Sequence, residues 1–504
     1  MSTSAPTVIV KPSATHRPPR FLKTTLTLAA VAAALFAAPA ARALSPAEVS
    51  AERAAGRLQE IRLSGASSLR LLIGGHLQQL AQPGSFSVYF FNDARGHQHR
   101  AYALRLNTTM GDWGPGTPLL LSKRDLGDAQ QGVAPLLTAD ANQQHLRVDA
   151  AGCRPSGLAP QPGGQQQDVR RPDYLCTTTQ PALADAGFSD VEPSLMEASI
   201  NYGAGRNTEN LETHELVQTL YGVAVNKRLY LALQKAQGLV DTAAAEIDET
   251  PEAMPSLPEG FMRGALTAQL LGSLAQKKGW NLLIPPSVDA AIHSKKLNIC
   301  RYKAGNGTQA VSNVHFASNP CNGTSAYIPS NQGGGAFGAT GMLSIRAVDS
   351  AGELESCLGE GVEGLEGAYG LGILARENAP RSWVNGQWLD QGYRFVKLSQ
   401  AAPRRQAAAE GEYPLFYATT MLWAKTGANA PTGAKLAFLR DLRASLGAPA
   451  TLAARHPELQ EGHLAHPSFS SGMAWEDLDP VTRSFVSATA RGALKSCTPL
   501  RRYK

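Results

Sequence analysis

The sequence predicts an α/β protein, because segments of strand character recur ahead of small-residue loops and helix starts. Glu60-Ile61-Arg62-Leu63 reads as a strand and Ser64-Gly65-Ala66-Ser67-Ser68 as a loop, with Leu69, Leu72, Ile73 and Leu77 forming the apolar stripe of a helix. The order returns at Leu297 to Ala310, where a strand runs into Gly305-Asn306-Gly307 and a helix starts at Thr308. Tyr221 to Lys227 and Tyr393 to Leu398 supply further strands. Strands alternating with helices indicate α/β units around a mostly parallel sheet.

The first residues predict export. Arg17, Arg20 and Lys23 lead into an apolar run from Leu26 to Ala38 and then into Ala41-Arg42-Ala43, the layout of a secretory signal peptide cleaved after Ala43. That run is shorter than the roughly 20 residues that span a bilayer. The leader holds five basic residues and no acid, so the chain's formal +6 falls to +1 for the part beyond it. A nearly neutral surface excludes nucleic acid as a partner, which calls for a basic stripe.

Six cysteines, Cys153, Cys176, Cys300, Cys321, Cys357 and Cys497, follow the leader. An even number in an oxidising compartment favours disulfides over metal ligation, and six allow about 15 pairings. Proximity in sequence suggests Cys153 with Cys176 and Cys300 with Cys321, leaving Cys357 for Cys497. Free buried thiols are the alternative.

The stretch Arg301-Tyr302-Lys303-Ala304-Gly305-Asn306-Gly307-Thr308 carries the sharpest chemical signal. Free N–H groups of a first helical turn, a threonine hydroxyl and a guanidinium suit a tetrahedral oxyanion. Equally, the glycines can make a tight turn, Thr308 can cap a helix and Arg301 can be a solvated charge. The stretch also fits a dinucleotide fingerprint, but no acid lies between Asn306 and Asp349 to hold a ribose, so no nucleotide cofactor is expected. Ser189-Asp190 follows Gly187-Phe188. Its hydroxyl can donate to an anion, and its carboxylate can accept from a protonated ligand such as hydrogen phosphate while repelling sulfate; a turn aspartate is the plainer alternative. Ala66 and Ser67 offer a backbone N–H and a hydroxyl, or simply an N-cap. Without a G-x-S-x-G elbow, an H-E-x-x-H helix or a tight Cys/His set, the sequence predicts neither an enzyme nor a metal site.

Ser-Gly-Ala-Ser, Phe-Ser-Asp, Tyr-Gly-Val-Ala-Val-Asn-Lys and Arg followed by Gly-Asn-Gly-Thr, in that order, make the sequence resemble the substrate-binding component of bacterial phosphate ABC transporters. The resemblance covers 58–80 and 184–400. It implies a type 2 periplasmic-binding-protein-like fold: two α/β lobes with mixed sheets flanked by helices and an anion in the cleft between them. Lobe 1 would span 44–221 with an insertion near 80–180, lobe 2 would span 222–395, and 396–504 would return to lobe 1 and extend beyond it. By position, Ala66, Ser67, Ser189, Asp190, Arg301, Asn306, Gly307 and Thr308 would hold the anion. Asn306 stands where the family has serine, one residue further from the arginine. The expected protein is a periplasmic monomer that captures phosphate or a related oxyanion and delivers it to an inner-membrane ABC permease. The alternative is an exported interaction or surface protein of the same fold with no transport role.

Overall fold

The computed structural model describes residues 43–92, 98–158, 168–198, 201, 207–267, 273–317, 338–340, 342–359, 368–384, 387–455, 460–465, 477–487, 489–490 and 501–502. The predicted leader, apart from Ala43, lies outside them, as do Cys321, Cys497 and most of the glycine-rich stretch at 332–341. Among the described residues no helix is long and apolar enough to cross a membrane.

The fold is mixed α/β, as expected. The site depends on thirteen strands: β1 (Gln59–Gly65), β2 (Ser87–Phe91), β3 (His99–Arg105), β4 (Pro118–Arg124), β5 (Cys153–Pro155), β6 (Tyr174–Cys176), β7 (Ala186–Ser189), β8 (Leu211–Asn226), β9 (Leu297–Tyr302), β10 (Leu343–Val348), β11 (Gly370–Ala375), β12 (Tyr393–Leu398) and β13 (Phe416–Ala424). They join one large sheet in the order β10-β9-β11-β8-β13-β7-β1-β4-β3-β2-β6-β5, with β12 also on β8. Parallel pairing holds β1 to β4 and β7, and β9 to β10 and β11; antiparallel pairing holds β8 to β11, β12 and β13. Helices flank it: α1 (Pro46–Ala54), α2 (Arg70–Gln79), α3 (Gln130–Thr138), α4 (Gly307–Phe316), α5 (Ala351–Leu358) and α6 (Gly433–Leu446) are those used below.

Strand β8 is the seam of the sheet. The short strand expected at Tyr221 to Lys227 is the second half of a 16-residue strand. Leu211 to Leu220 pair with β13, and Tyr221 to Val225 pair with β11. One core collects Ile61, Leu63, Leu72, Leu121, Phe188 and Phe438 under β1, β4 and β7. Another collects Val223, Val225, Ile299, Val311 and Leu371 about β8, β9 and α4. Burial of such side chains, at about 25 cal/mol per Å² of apolar area, is the main force holding helices on the sheet.

Helix α3 approaches this sheet more closely than a side chain would permit. A Cβ on Gly132 would come 2.0 Å from the Phe188 carbonyl oxygen, and one on Gly187 would come 1.9 Å from the Gly132 carbonyl. Backbone therefore touches backbone, which sets the loop preceding α3 against the ends of β1 and β7.

Cys153 pairs with Cys176 across β5 and β6, as expected from sequence. Cys300 pairs with Cys357 and not with Cys321. The correction follows from packing: Cys300 lies on β9 and Cys357 on α5, and both join the small core that includes Leu354, Leu358 and Tyr393. Their Cα atoms are 6.0 Å apart, inside the range a disulfide spans.

Candidate ligand-binding site

Three of the segments singled out in the sequence meet in space. The loop after β1 carries Ala66, Ser67 and Ser68; the end of β7 carries Ser189 and Asp190; Asn306 and Gly307 open α4. Ala66 N–H donates to the Phe188 carbonyl at 3.0 Å, which fixes the first loop on the second. Gly307 is tight against Asp190, since a Cβ there would lie 1.9 Å from Asp190 Oδ2. Asn306 is the N-cap of α4, its Oδ1 accepting the Gln309 N–H at 3.0 Å.

What joins these pieces is a residue the sequence reading passed over. Asp128 lies between β4 and α3 with a left-handed backbone, φ 55°, a conformation that Asp and Asn tolerate better than most residues. Its Oδ2 accepts the Ser67 hydroxyl at 3.0 Å and the Asn306 amide at 2.5 Å, while Oδ1 accepts the N–H of Ala129 at 2.7 Å. Donors from the β1 loop and from the α4 cap thus converge on one carboxylate oxygen. Ser68 donates to Asp190 Oδ1, which also accepts the Tyr221 hydroxyl at 2.9 Å.

Two buried carboxylates this near one another are costly when both are charged. Burial first, and then the charge of Asp190, pushes the Asp128 carboxyl up to about 7. Asp190 is also pushed up by burial, against the lowering effect of its bonds from Ser68 and Tyr221. The cation acting on both is Lys123, whose buried ammonium donates to the Ala66 carbonyl at 3.2 Å and to Asp125 at 2.5 Å.

Of the remaining expected residues, Ser189 adjoins this junction through Asp190, whereas Arg301 and Thr308 line a separate space. Ser189 is fully buried; its hydroxyl accepts the Val191 N–H at 3.4 Å and its carbonyl accepts the Thr420 hydroxyl. Arg301 is half-buried on β9, where side chains alternate between faces, so it and Tyr302 point to opposite sides. Its Nε donates to the Tyr302 carbonyl at 3.3 Å, and with Thr308 it lines a small cavity of about 20 Å³ beside α4. Ser68, Asp128, Lys123 and Tyr221 were missed as site residues. Asp128 had a usable signal: Leu126-Gly127-Asp128-Ala129 leads from strand β4 into α3, repeating the strand, loop and helix layout seen at β1 and β9.

No family model matches the chain, and no curated protein matches it in sequence. Among solved structures, it is similar to a protein assigned as a phosphate ABC transporter substrate-binding protein, with bound phosphate, from Clostridium perfringens, at 10% identity and a TM-score of 0.35 over 76% of this chain and 93% of that one. It is also similar to an ABC-type phosphate transport receptor from Vibrio cholerae, at 11% identity and a TM-score of 0.32 over 76% of this chain and 94% of that one. These alignments are long and shallow, so what the site can do is argued from its own geometry.

Proposed function

We propose that this chain is an exported solute-binding protein that takes phosphate or a similar tetrahedral oxyanion where the β1 loop, the end of β7 and the start of α4 meet, and presents it to a membrane permease. One observation carries this: Ser67 and Asn306, 239 positions apart in the chain, direct their donors at a single anionic oxygen, that of Asp128. A site that holds a carboxylate with a hydroxyl, an amide and a helix start has the donors an external oxyanion needs. Entry of that oxyanion requires Asp128 to withdraw or to carry a proton, because two like charges cannot share those donors. Among the described residues Asp190 Oδ2 has no hydrogen-bond partner, and it can accept from a ligand that retains a proton. The function is capture and release, with no bond broken.

The test is calorimetric titration of the purified protein with phosphate and with sulfate at pH 6 and pH 8. Phosphate binding with no sulfate response, tighter at pH 6, is the expected result. A second reading has its own support: Asp128 already stands where the oxyanion would, which suits an exported interaction protein that keeps this fold without a transported ligand. Absence of heat with either anion at either pH, from folded protein, selects that second reading.

A further inference from the structure

The loop that presents Asp128 is tied down at its two ends. Upstream, the Asp125 side chain is fully buried against Lys123, and the N–H groups of Asp125 and Leu126 both donate to the Gln98 carbonyl, at 2.8 and 3.1 Å. Downstream, Ala129 is fully buried in the core with Val133 and Leu136. Between these anchors stand Leu126, Gly127 and Asp128. Leu126 is 44% exposed, so its side chain does little to pin the loop. Gly127 and Asp128 both have left-handed backbones, φ 81° and 55°, which glycine adopts freely and aspartate at some cost. The bonds that Asp128 accepts from Ser67, Asn306 and the Ala129 N–H hold it there.

The same loop forms one side of a cavity of about 290 Å³, separate from the space at Arg301 and Thr308. Ser67, Leu126, Gly127 and Asp128 line it on this side, and exposed Glu353 and Ser356 of α5 line it on the other, so water reaches it. At about 30 Å³ per molecule it has room for several waters. A carboxylate that leaves the junction for this space is rehydrated, which replaces the hydrogen bonds it gives up.

We propose that Leu126 to Asp128 form an internal plug: in the ligand-free protein Asp128 fills the oxyanion position, and a bound oxyanion drives these three residues out into the cavity. This rests on the oxyanion reading above. One anion replaces another at the Ser67 hydroxyl and the Asn306 amide, because two like charges cannot be held there together. Asp125 stays on Lys123 and Ala129 stays in its core, so the sheet and α3 need not move. Ligand binds only those molecules in which the plug is out, so the plug lowers the apparent affinity by that fraction. Below a threshold concentration of ligand, the site stays filled by the protein itself.

The test is calorimetric titration of wild type, Asp128→Gly and Asp128→Asn with phosphate at pH 8, where the Asp128 carboxyl, pushed up to about 7, is ionised. Amide exchange of the peptide covering residues 125–129 is measured with and without saturating phosphate. Asp128→Gly suits the left-handed backbone and removes the competing carboxylate, so it should bind phosphate about tenfold tighter than wild type or more. Asp128→Asn keeps the shape without the charge; it should tighten binding about threefold, and it carries the test if the glycine variant does not fold. In wild type, phosphate should speed exchange of the Leu126 and Asp128 amides, which the closed loop holds on the Gln98 and Asp125 carbonyls. Wild-type binding that leaves this exchange unchanged overturns the plug, and so does equal affinity in the folded variants; the oxyanion reading then stands. Binding by the variants alone keeps the plug as a permanent occupant and removes the transport reading for the wild-type chain. Absence of binding in every folded protein removes both.

Discussion

Gly307 and Asp190 are in backbone-to-carboxylate contact: a Cβ on Gly307 would sit 1.9 Å from Asp190 Oδ2 and 2.6 Å from its Cβ. The first residue of α4 is thereby pressed against the carboxylate that ends β7, and an anion at a helix start is favoured by the free N–H groups and the helix dipole. Glycine is required here for space alone. Gly307→Ala is therefore expected to destabilise the protein by about 2 kcal/mol or more, since overpacking of a fixed backbone outweighs the better helix propensity of alanine. A lowered urea midpoint with an unchanged slope would show it; an unaltered midpoint would mean that α4 and β7 can move apart freely.

The same junction predicts an unusual dependence on pH. Asp128 has a folded-state pKa of about 7, above its ordinary 3.8. The folded protein then holds a proton that the unfolded chain has released, so the contribution is fully present below about pH 4 and is lost as pH rises through 7. Asp128→Asn keeps the shape and tolerates the positive φ, but cannot ionise. The variant should match wild type only below about pH 4, and its advantage should grow by on the order of 2 kcal/mol between pH 5 and pH 8. Urea unfolding of both proteins between pH 5 and 8 reads this difference, and titrating groups that do not act on Asp128, such as Glu377, which burial also pushes to about 7, cancel in the comparison, whereas Asp190 titrates with it as one coupled pair. A constant difference across that range would remove Asp128 as the titrating group.

The sequence made local units legible and left long-range ones obscure. Tyr393–Leu398 and the start of α4 were readable because strand alternation and turn glycines act over a few residues. The first half of β8 was not, since Glu212, Thr213, His214 and Glu215 interrupt its apolar pattern, and tertiary pairing with β13 makes the strand. Ser67, Asp190 and Asn306 could be named as site residues, but Asp128 acquires its role only through partners 61 and 178 positions away. Nothing local to Asp128 encodes those distances.

Lys123 is the cation on which the junction rests. Its side chain is fully buried, and it serves Asp125 together with the carbonyls of Gly65 and Ala66. Lys123→Met keeps the length but leaves the Asp125 carboxylate and both carbonyls without their donor. Removing one member of a buried ion pair costs about 3–5 kcal/mol. The double variant Lys123→Met, Asp125→Asn should recover part of that loss, because the uncompensated charge is gone. A double-mutant cycle by urea unfolding measures the coupling, and additive losses would show that the two side chains do not interact.

The bridge between Cys300 and Cys357 closes a loop of 57 residues and ties β9 to α5. Constraint of the unfolded chain by a loop of that length is worth about 4 kcal/mol. Peptide mapping of the unreduced protein should recover a peptide from β9 joined to one from α5, and a peptide joining Cys300 to Cys321 would overturn the pairing. With the bridge removed by Cys300→Ser and Cys357→Ser together, α5 keeps Leu354 and Leu358 in their small core, so the helix should still form. The loss should then appear as lower global stability and as faster amide exchange along α5 and the end of β9. Faster exchange confined to β1 and β7 instead would mean that the bridge stabilises a part of the sheet that it does not touch.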